Sequence, residues 1–162
     1  MNDPTIKVSL QLQGAVLNGY LTINPTASPE SGAIQHHLDN LDEIIEHNSV
    51  NELLTNDCLD YVPLQAKKVV CTNWLCKISH GGKIVFRGLD IREVARIIYL
   101  GQIDLLNDGN ALLYGHPSSV WNLKKGLLSV DELRNLVLST GQFRVDSIKW
   151  NGPEYIATFI RN

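Results

Sequence analysis

Nowhere does the sequence hold eighteen consecutive apolar residues, and its opening stretch, MNDPT, is not a basic segment ahead of an apolar run. Neither a membrane span nor an export signal is expected, so the protein is read as cytoplasmic. Charge of one sign is lacking too. With 14 Lys and Arg against 17 Asp and Glu the net charge is -3, so no overall positive field draws the chain to nucleic acid or anionic lipid. Cysteine is scarce and odd in number, with Cys58, Cys71 and Cys76 making three, which excludes a disulfide framework and predicts reduced thiols. Absent as well are a Gly-rich phosphate loop, a Gly-x-Ser-x-Gly elbow, a His-Glu-x-x-His pair and any internal repeat. No cofactor, no metal site and no catalytic residue is assigned on these grounds.

What is present, 162 residues of which 44% are hydrophobic and 19% charged, suffices for one domain, or for one small domain with an appendage. Residues 6–23 alternate at period two, with Val8, Leu10 and Leu12 on one face and Ser9, Gln11 and Gln13 on the other. Two antiparallel strands with a bend at Gly14 are predicted there. A Pro- and Ser-rich loop, NPTASPESGA, follows. After it Ile34, Leu38, Leu41 and Ile45 recur at helical spacing, and Ser49-Val50-Asn51-Glu52 has the form of a capping box opening a second short helix.

Residues 60–88, rich in Val, Ile, Trp and Phe, read as strands with Ser79-His80-Gly81-Gly82 as a turn. The segment 90–100 fits either a helix entered at Asp90 or a bent strand. Ser129 and Glu132 frame a helix that Gly141 ends, and Asn151-Gly152 between two apolar runs predicts a hairpin.

Two of these stretches belong together. The first holds Leu10, Leu12, Gly14, Gly19 and Leu21; the second, GKIVFRGLDI, holds Phe86, Arg87, Gly88 and Ile91. In spacing they resemble the two motifs of the Sm/LSm family. The resemblance implies a small bent five-stranded barrel whose edge strands pair between subunits in a ring. It also implies a nucleotide pocket lined by Arg87 and Gly88, the flat guanidinium stacking on a base that the glycine lets approach. Read without the resemblance, Arg87-Gly88 is a turn that ends a strand. The family's stacking residues after the second strand have no counterpart in NPTASPESG.

The expected fold is therefore α+β. Residues 1–104 would form an Sm-like barrel interrupted by a helical insertion at about 25–59, and residues 105–162 a C-terminal unit of helix and β-hairpin. The expected function is a non-catalytic binding and assembly module, not an enzyme, that self-associates through barrel edges into a homo-oligomer and recognises a protein partner. RNA binding through Arg87 and Gly88 is the alternative. A Cys/His or metal-dependent enzyme is the second alternative. Asp39, Glu43 and His47 share one face of the predicted helix, but three ligands on one helix cannot surround an ion unaided; Cys71 and Cys76, followed by His80, have no second pair to complete a zinc site.

Overall fold

The computed structural model describes residues 6–12, 15–115 and 123–162; Gly14 of the first motif and Trp121 lie outside the described residues, as do the side chains of Leu105 and Asn107. Six strands form one open sheet: β1 (Ile6–Leu10), β2 (Leu21–Ile23), β3 (Val50–Asn56), β4 (Ile78–Leu89), β5 (Phe143–Asn151) and β6 (Glu154–Arg161). Their order across the sheet is β2-β1-β3-β4-β6-β5. The first four are parallel to their neighbours, and β6 runs antiparallel between β4 and β5. This corrects the expected barrel. The sheet is not closed, and the two N-terminal strands taken as an antiparallel pair are parallel.

Among the described residues four α-helices accompany the sheet: α1 (Lys67–Lys77), α2 (Ile91–Tyr99), α3 (Asn110–Tyr114) and α4 (Val130–Leu138). Val70, Cys71, Trp74 and Leu75 of α1 and Val130, Leu133 and Val137 of α4 are buried at helical spacing. They share one core with Val8, Leu10, Leu53, Ile84, Phe86 and Phe159 of the strands. The rings of Trp74, Phe86 and Phe159 follow one another at centroid distances of 6.4 and 6.0 Å, the second pair edge to face. The opposite sheet face is mixed, with half-buried Leu54 and Val85 next to a polar row. There Lys7, Glu52 and Lys83 lie in register, with the carboxylate 3.5 and 3.4 Å from the two ammonium groups.

The helical insertion is not formed either. Leu38, Leu41 and Ile45 do reach the core, but in a connection of turns. Side chains capture the backbone groups that a helix would need: Trp74 Nε1 donates to the Leu38 carbonyl at 2.6 Å, and Asn73 Oδ1 accepts from the Leu41 amide at 3.0 Å. Ser49, expected to cap a helix, instead precedes β3 and donates to the Glu46 carbonyl. Residues 67–77, expected as strand, are α1, while the open choice at 90–100 resolves as α2. Asp90 caps that helix through Oδ1 on the Arg92 amide at 2.9 Å and reaches the Val130 amide of α4 with Oδ2 at 3.3 Å. The box at Ser129 and Glu132 is closed in both directions. The hairpin at Asn151-Gly152 forms with Gly152 at φ 60° and Asn151 still in β5, the pattern of a turn with glycine at its first central position.

Lys77 is buried at the end of α1, and its ammonium meets Asp42, whose carboxyl it holds below the usual range with help from His47. Replacing Asp42 with Ala leaves the buried cation without its carboxylate, and we expect a lower midpoint in urea unfolding. The double variant Asp42→Ala/Lys77→Met should recover most of the shift. Equal losses in the single and double variants would contradict the pairing.

Candidate active site

Ligands of open parallel sheets sit beyond the carboxyl ends of the strands, where neighbouring connections diverge. In this sheet that point lies between β1, whose connection leads out to β2, and β3 on its other side. A crevice of about 260 Å³ occupies it. Leu12, just past β1, and Cys58, just past β3, form its floor, with Leu38, Tyr61, Val62 and Val70 on its walls. Asp39 and Lys125 also line it, and Asp39 is exposed. The described residues between β1 and β2 include no helix, and α1 reaches the crevice through Val70.

A second, larger cleft of about 460 Å³ opens over the ends of β3 and β4 and the start of β6. Asp57, Asp108 and Glu154 bring carboxylates to it, Leu89, Ile103 and Leu112 apolar surface. Tyr61 lines both openings. Asp57, directly after β3, has φ 57°, a left-handed conformation that Asp tolerates better than most residues and that turns the chain into the short helical turn Cys58–Tyr61. Burial pushes its carboxyl upward, and Arg87 nearby opposes the shift.

Behind the second cleft stands Asp60, 3% exposed. Its backbone carbonyl accepts from the Lys125 and Gly126 amides at 2.8 and 3.2 Å, tying the segment before α4 to the end of β3. Oδ2 makes no hydrogen bond among the described residues and lies 3.7 Å from Lys124 Nζ, too long for one. Burial raises this carboxyl to about 7, against the pull of Lys124. Lys67, buried nearby, donates to the Leu59 carbonyl, and burial lowers its ammonium to about 8.

Arg87 and Gly88 do not end a strand, since β4 continues through them to Leu89. Arg87 pairs with Glu154 at 3.1 Å and is half exposed. Gly88 faces the other way, where an added Cβ would stand 2.9 Å from the Tyr155 hydroxyl oxygen and 3.3 Å from Asp60 Oδ1. Close packing of β4 against Tyr155 and Asp60 therefore accounts for the glycine. The predicted Asp39-Glu43-His47 face is dispersed: Asp39 lines the crevice, and His47 bonds Asp42 at 3.2 Å. No group of three metal-ligating side chains occurs among the described residues, and burial raises the thiols of Cys58 and Cys71, the latter to about 12. Neither arrangement gives the metal or thiol enzyme a centre. Asp57, Asp60 and Tyr61 were missed by sequence reasoning, although the string NDCLDY directly after an apolar run was the signal.

No family model and no curated protein matches the sequence. Among solved structures, the chain is similar to an S-adenosylmethionine-dependent methyltransferase from Mesorhizobium loti, at 15% identity and a TM-score of 0.64, covering 98% of this chain and 91% of that one. A similar protein from Archaeoglobus fulgidus matches at 6% identity and 0.60, covering 88% and 76%. An O-methyltransferase family protein from Burkholderia thailandensis matches at 15% and 0.55; 80% of this chain corresponds to 35% of that longer one. At these identities the likeness is one of fold. It overturns the Sm-like resemblance and the edge-paired ring, and with them the non-enzymatic assembly module and the RNA-binding alternative built on that barrel.

Two outcomes test this geometry. Gly88→Ala should cost about 1–3 kcal/mol in stability by overpacking, and Tyr155→Phe in the same chain should return part of it; an unchanged melting temperature in Gly88→Ala would contradict the close approach. Asp60, raised above its unfolded value, contributes stability that is fully present below about pH 4 and is lost as pH rises through about 7. Melting temperatures of wild type should fall over that window relative to Asp60→Asn, whereas Lys67, lowered by burial and paired electrostatically with Asp60, adds stability as pH rises above about 8.

Proposed function

We propose that the chain is an S-adenosylmethionine-dependent methyltransferase, with the cofactor in the apolar crevice and the methyl acceptor in the adjoining cleft. The observation that carries this reading is the shared wall: Tyr61 lines both openings at the carboxyl edge of one parallel sheet. The fold common to the solved methyltransferases supports it.

An adenosyl group asks for an apolar slot, an acceptor for its ribose hydroxyls and charged company for its amino-acid end. Leu12, Leu38, Val62 and Val70 supply the slot, which is large enough for a ring system while the remainder lies across the mouth. Asp39 is the carboxylate available to the hydroxyls. The loop after β2 offers none, because no Asp or Glu occurs between residues 6 and 29 and the Asn24 side chain accepts from Thr26. Lys125 stands on the wall as the cation. The residues present fit the group. When bound, it supplies a methyl group on a positively charged sulfur, open to attack by a lone pair. The protein's own part is to hold the reactants on either side of Tyr61 and to keep water from between them.

Calorimetry with S-adenosylhomocysteine, the demethylated product, should show saturable binding, and at a hundredfold excess over Kd the ligand should stabilise the fold by about 2.7 kcal/mol. Asp39→Asn should weaken binding about tenfold, and Val62→Trp should abolish it by filling the slot. No binding by the wild type would defeat the proposal.

A further inference from the structure

We propose that the sheet face turned away from α1 and α4 docks an amphipathic helix of a partner protein, one that carries acidic residues on either side of an apolar stripe. Parallel sheets are ordinarily covered on both faces. Here α1 and α4 bury their apolar sides against one face. The other is buried near β1, at Ser9, Gln11 and Thr22, but open over β4, β6 and β5. There Ile156 is 44% exposed, and the side chains of Lys83 and Arg87 are 44% and 47% exposed.

Strand register gives the open area a definite pattern. Ile156, Thr158 and Ile160 lie on it along β6, the middle strand of the three. Arg87 and Lys149 stand opposite Ile156, Lys83 and Arg144 opposite Ile160, and Val85 and Ser147 flank Thr158 between them. A line about 14 Å long, apolar at both ends, is thus bracketed at each end by two cations. Glu52 lies 3.4 Å from Lys83 and Glu154 3.1 Å from Arg87. Arg144 and Lys149 enter no ion pair among the described residues, and Asp146, in the register shift of β5, faces no residue of β6. The area is therefore positive in a chain whose net charge is -3.

Cations about 4.8 Å to either side of an apolar line match one helix whose acidic positions border its apolar stripe. Helices are also the layer that ordinarily covers such a sheet. At the Ile156 end a hollow of about 240 Å³ opens between Arg87 and Lys149, walled by Trp150, which is 54% exposed. It has room for one large apolar side chain, and tryptophan and arginine are the residue types that most often carry binding energy at interfaces. The same face of a second copy would set the four cations against themselves, which disfavours a two-fold dimer here. A phosphate chain would satisfy the cations but leave Ile156, Ile160 and the hollow without apolar company.

The test titrates the 162-residue chain, isotope-labelled for NMR, with helical peptides of about eighteen residues, long enough to hold a helix in isolation. One has leucine at every third or fourth position bordered by glutamate; in the second lysine replaces the glutamate, and in the third serine replaces the leucine. The acidic peptide should bind saturably in the micromolar range, as small interfaces do, and shift the amides of β4, β6 and β5 selectively. Both other peptides should bind at least tenfold more weakly. Arg144→Glu/Lys149→Glu should weaken the acidic peptide at least tenfold and bind the basic one more tightly than wild type does. Ile156→Thr, which keeps a β-branched residue in the strand, should weaken the acidic peptide severalfold. These side chains are exposed, so melting temperatures should stay within about 2 °C of wild type. No saturable binding of the acidic peptide, equal binding of the basic one, shifts outside these strands, or unchanged affinity in both variants would overturn the proposal. So would tighter binding of an oligonucleotide, or of phosphatidylserine vesicles, than of the acidic peptide, or a wild-type dimer that Lys149→Glu dissociates.

Discussion

The burial of one indole holds the two halves of this fold together. Trp74 is fully buried in α1, stacks toward Phe86 of β4, and gives its ring N–H to the Leu38 carbonyl in the connection between β2 and β3. That connection has no regular structure of its own to hold it. Its place over the sheet depends on Trp74 and on Asn73 in the preceding position, which takes the Leu41 amide. Removing a buried aromatic of this size typically costs about 3–5 kcal/mol, a large share of the roughly 5–15 kcal/mol that keeps a domain folded. Both walls of the crevice depend on the same contact, since Leu38 comes from the connection and Val70 from α1.

Near β1 the two faces of the sheet differ in polarity, with Val8, Leu10 and Ile23 on one and buried Ser9, Gln11 and Thr22 on the other. Parallel strands usually need a crossover of a dozen or more residues, commonly a helix, and are then covered on both faces. Residues 11–20 are all that join β1 to β2. With no helix among those described, the face bearing Lys7, Glu52 and Lys83 is satisfied by cross-strand ion pairs, and by Tyr20, whose ring lies 5.5 Å from the Lys7 ammonium. The fully buried apolar core lies on the other face, and a crevice opens at the carboxyl end of β1.

That geometry explains what the sequence could and could not disclose. Strict alternation in Val8-Ser9-Leu10-Gln11-Leu12 is the mark of a half-covered strand, commonly antiparallel; here it comes from a parallel strand buried on both faces, whose polar residues Ser9 and Gln11 bond each other at 3.0 Å. In residues 67–77 β-branched and aromatic residues argued for strand, yet Val70, Cys71, Trp74 and Leu75 already carried the helical period, and packing decided the matter. Ile34 to Ile45 carried that period too, but tertiary hydrogen bonds claimed its backbone. Ser129 with Glu132 and Asn151-Gly152 were readable because caps and turns act over a few residues. The site was nearly invisible, because Leu12, Asp39, Asp57 and Tyr61 come from three connections that only the strand order β2-β1-β3-β4 brings to one edge.

The margins of the sheet carry a consequence of their own. On one side β2 spans three residues and is followed only by a single bridge from Ile23 to Ile34. On the other, β5 has a register shift between Val145 and Ser147, with Asp146 at the irregularity and Arg144 and Lys149 to either side. Short strands, bulges and charged edge residues all discourage another chain from adding a strand. A sheet bounded in this way can keep its carboxyl edge open to ligands while offering no ready template along its sides for misassembly.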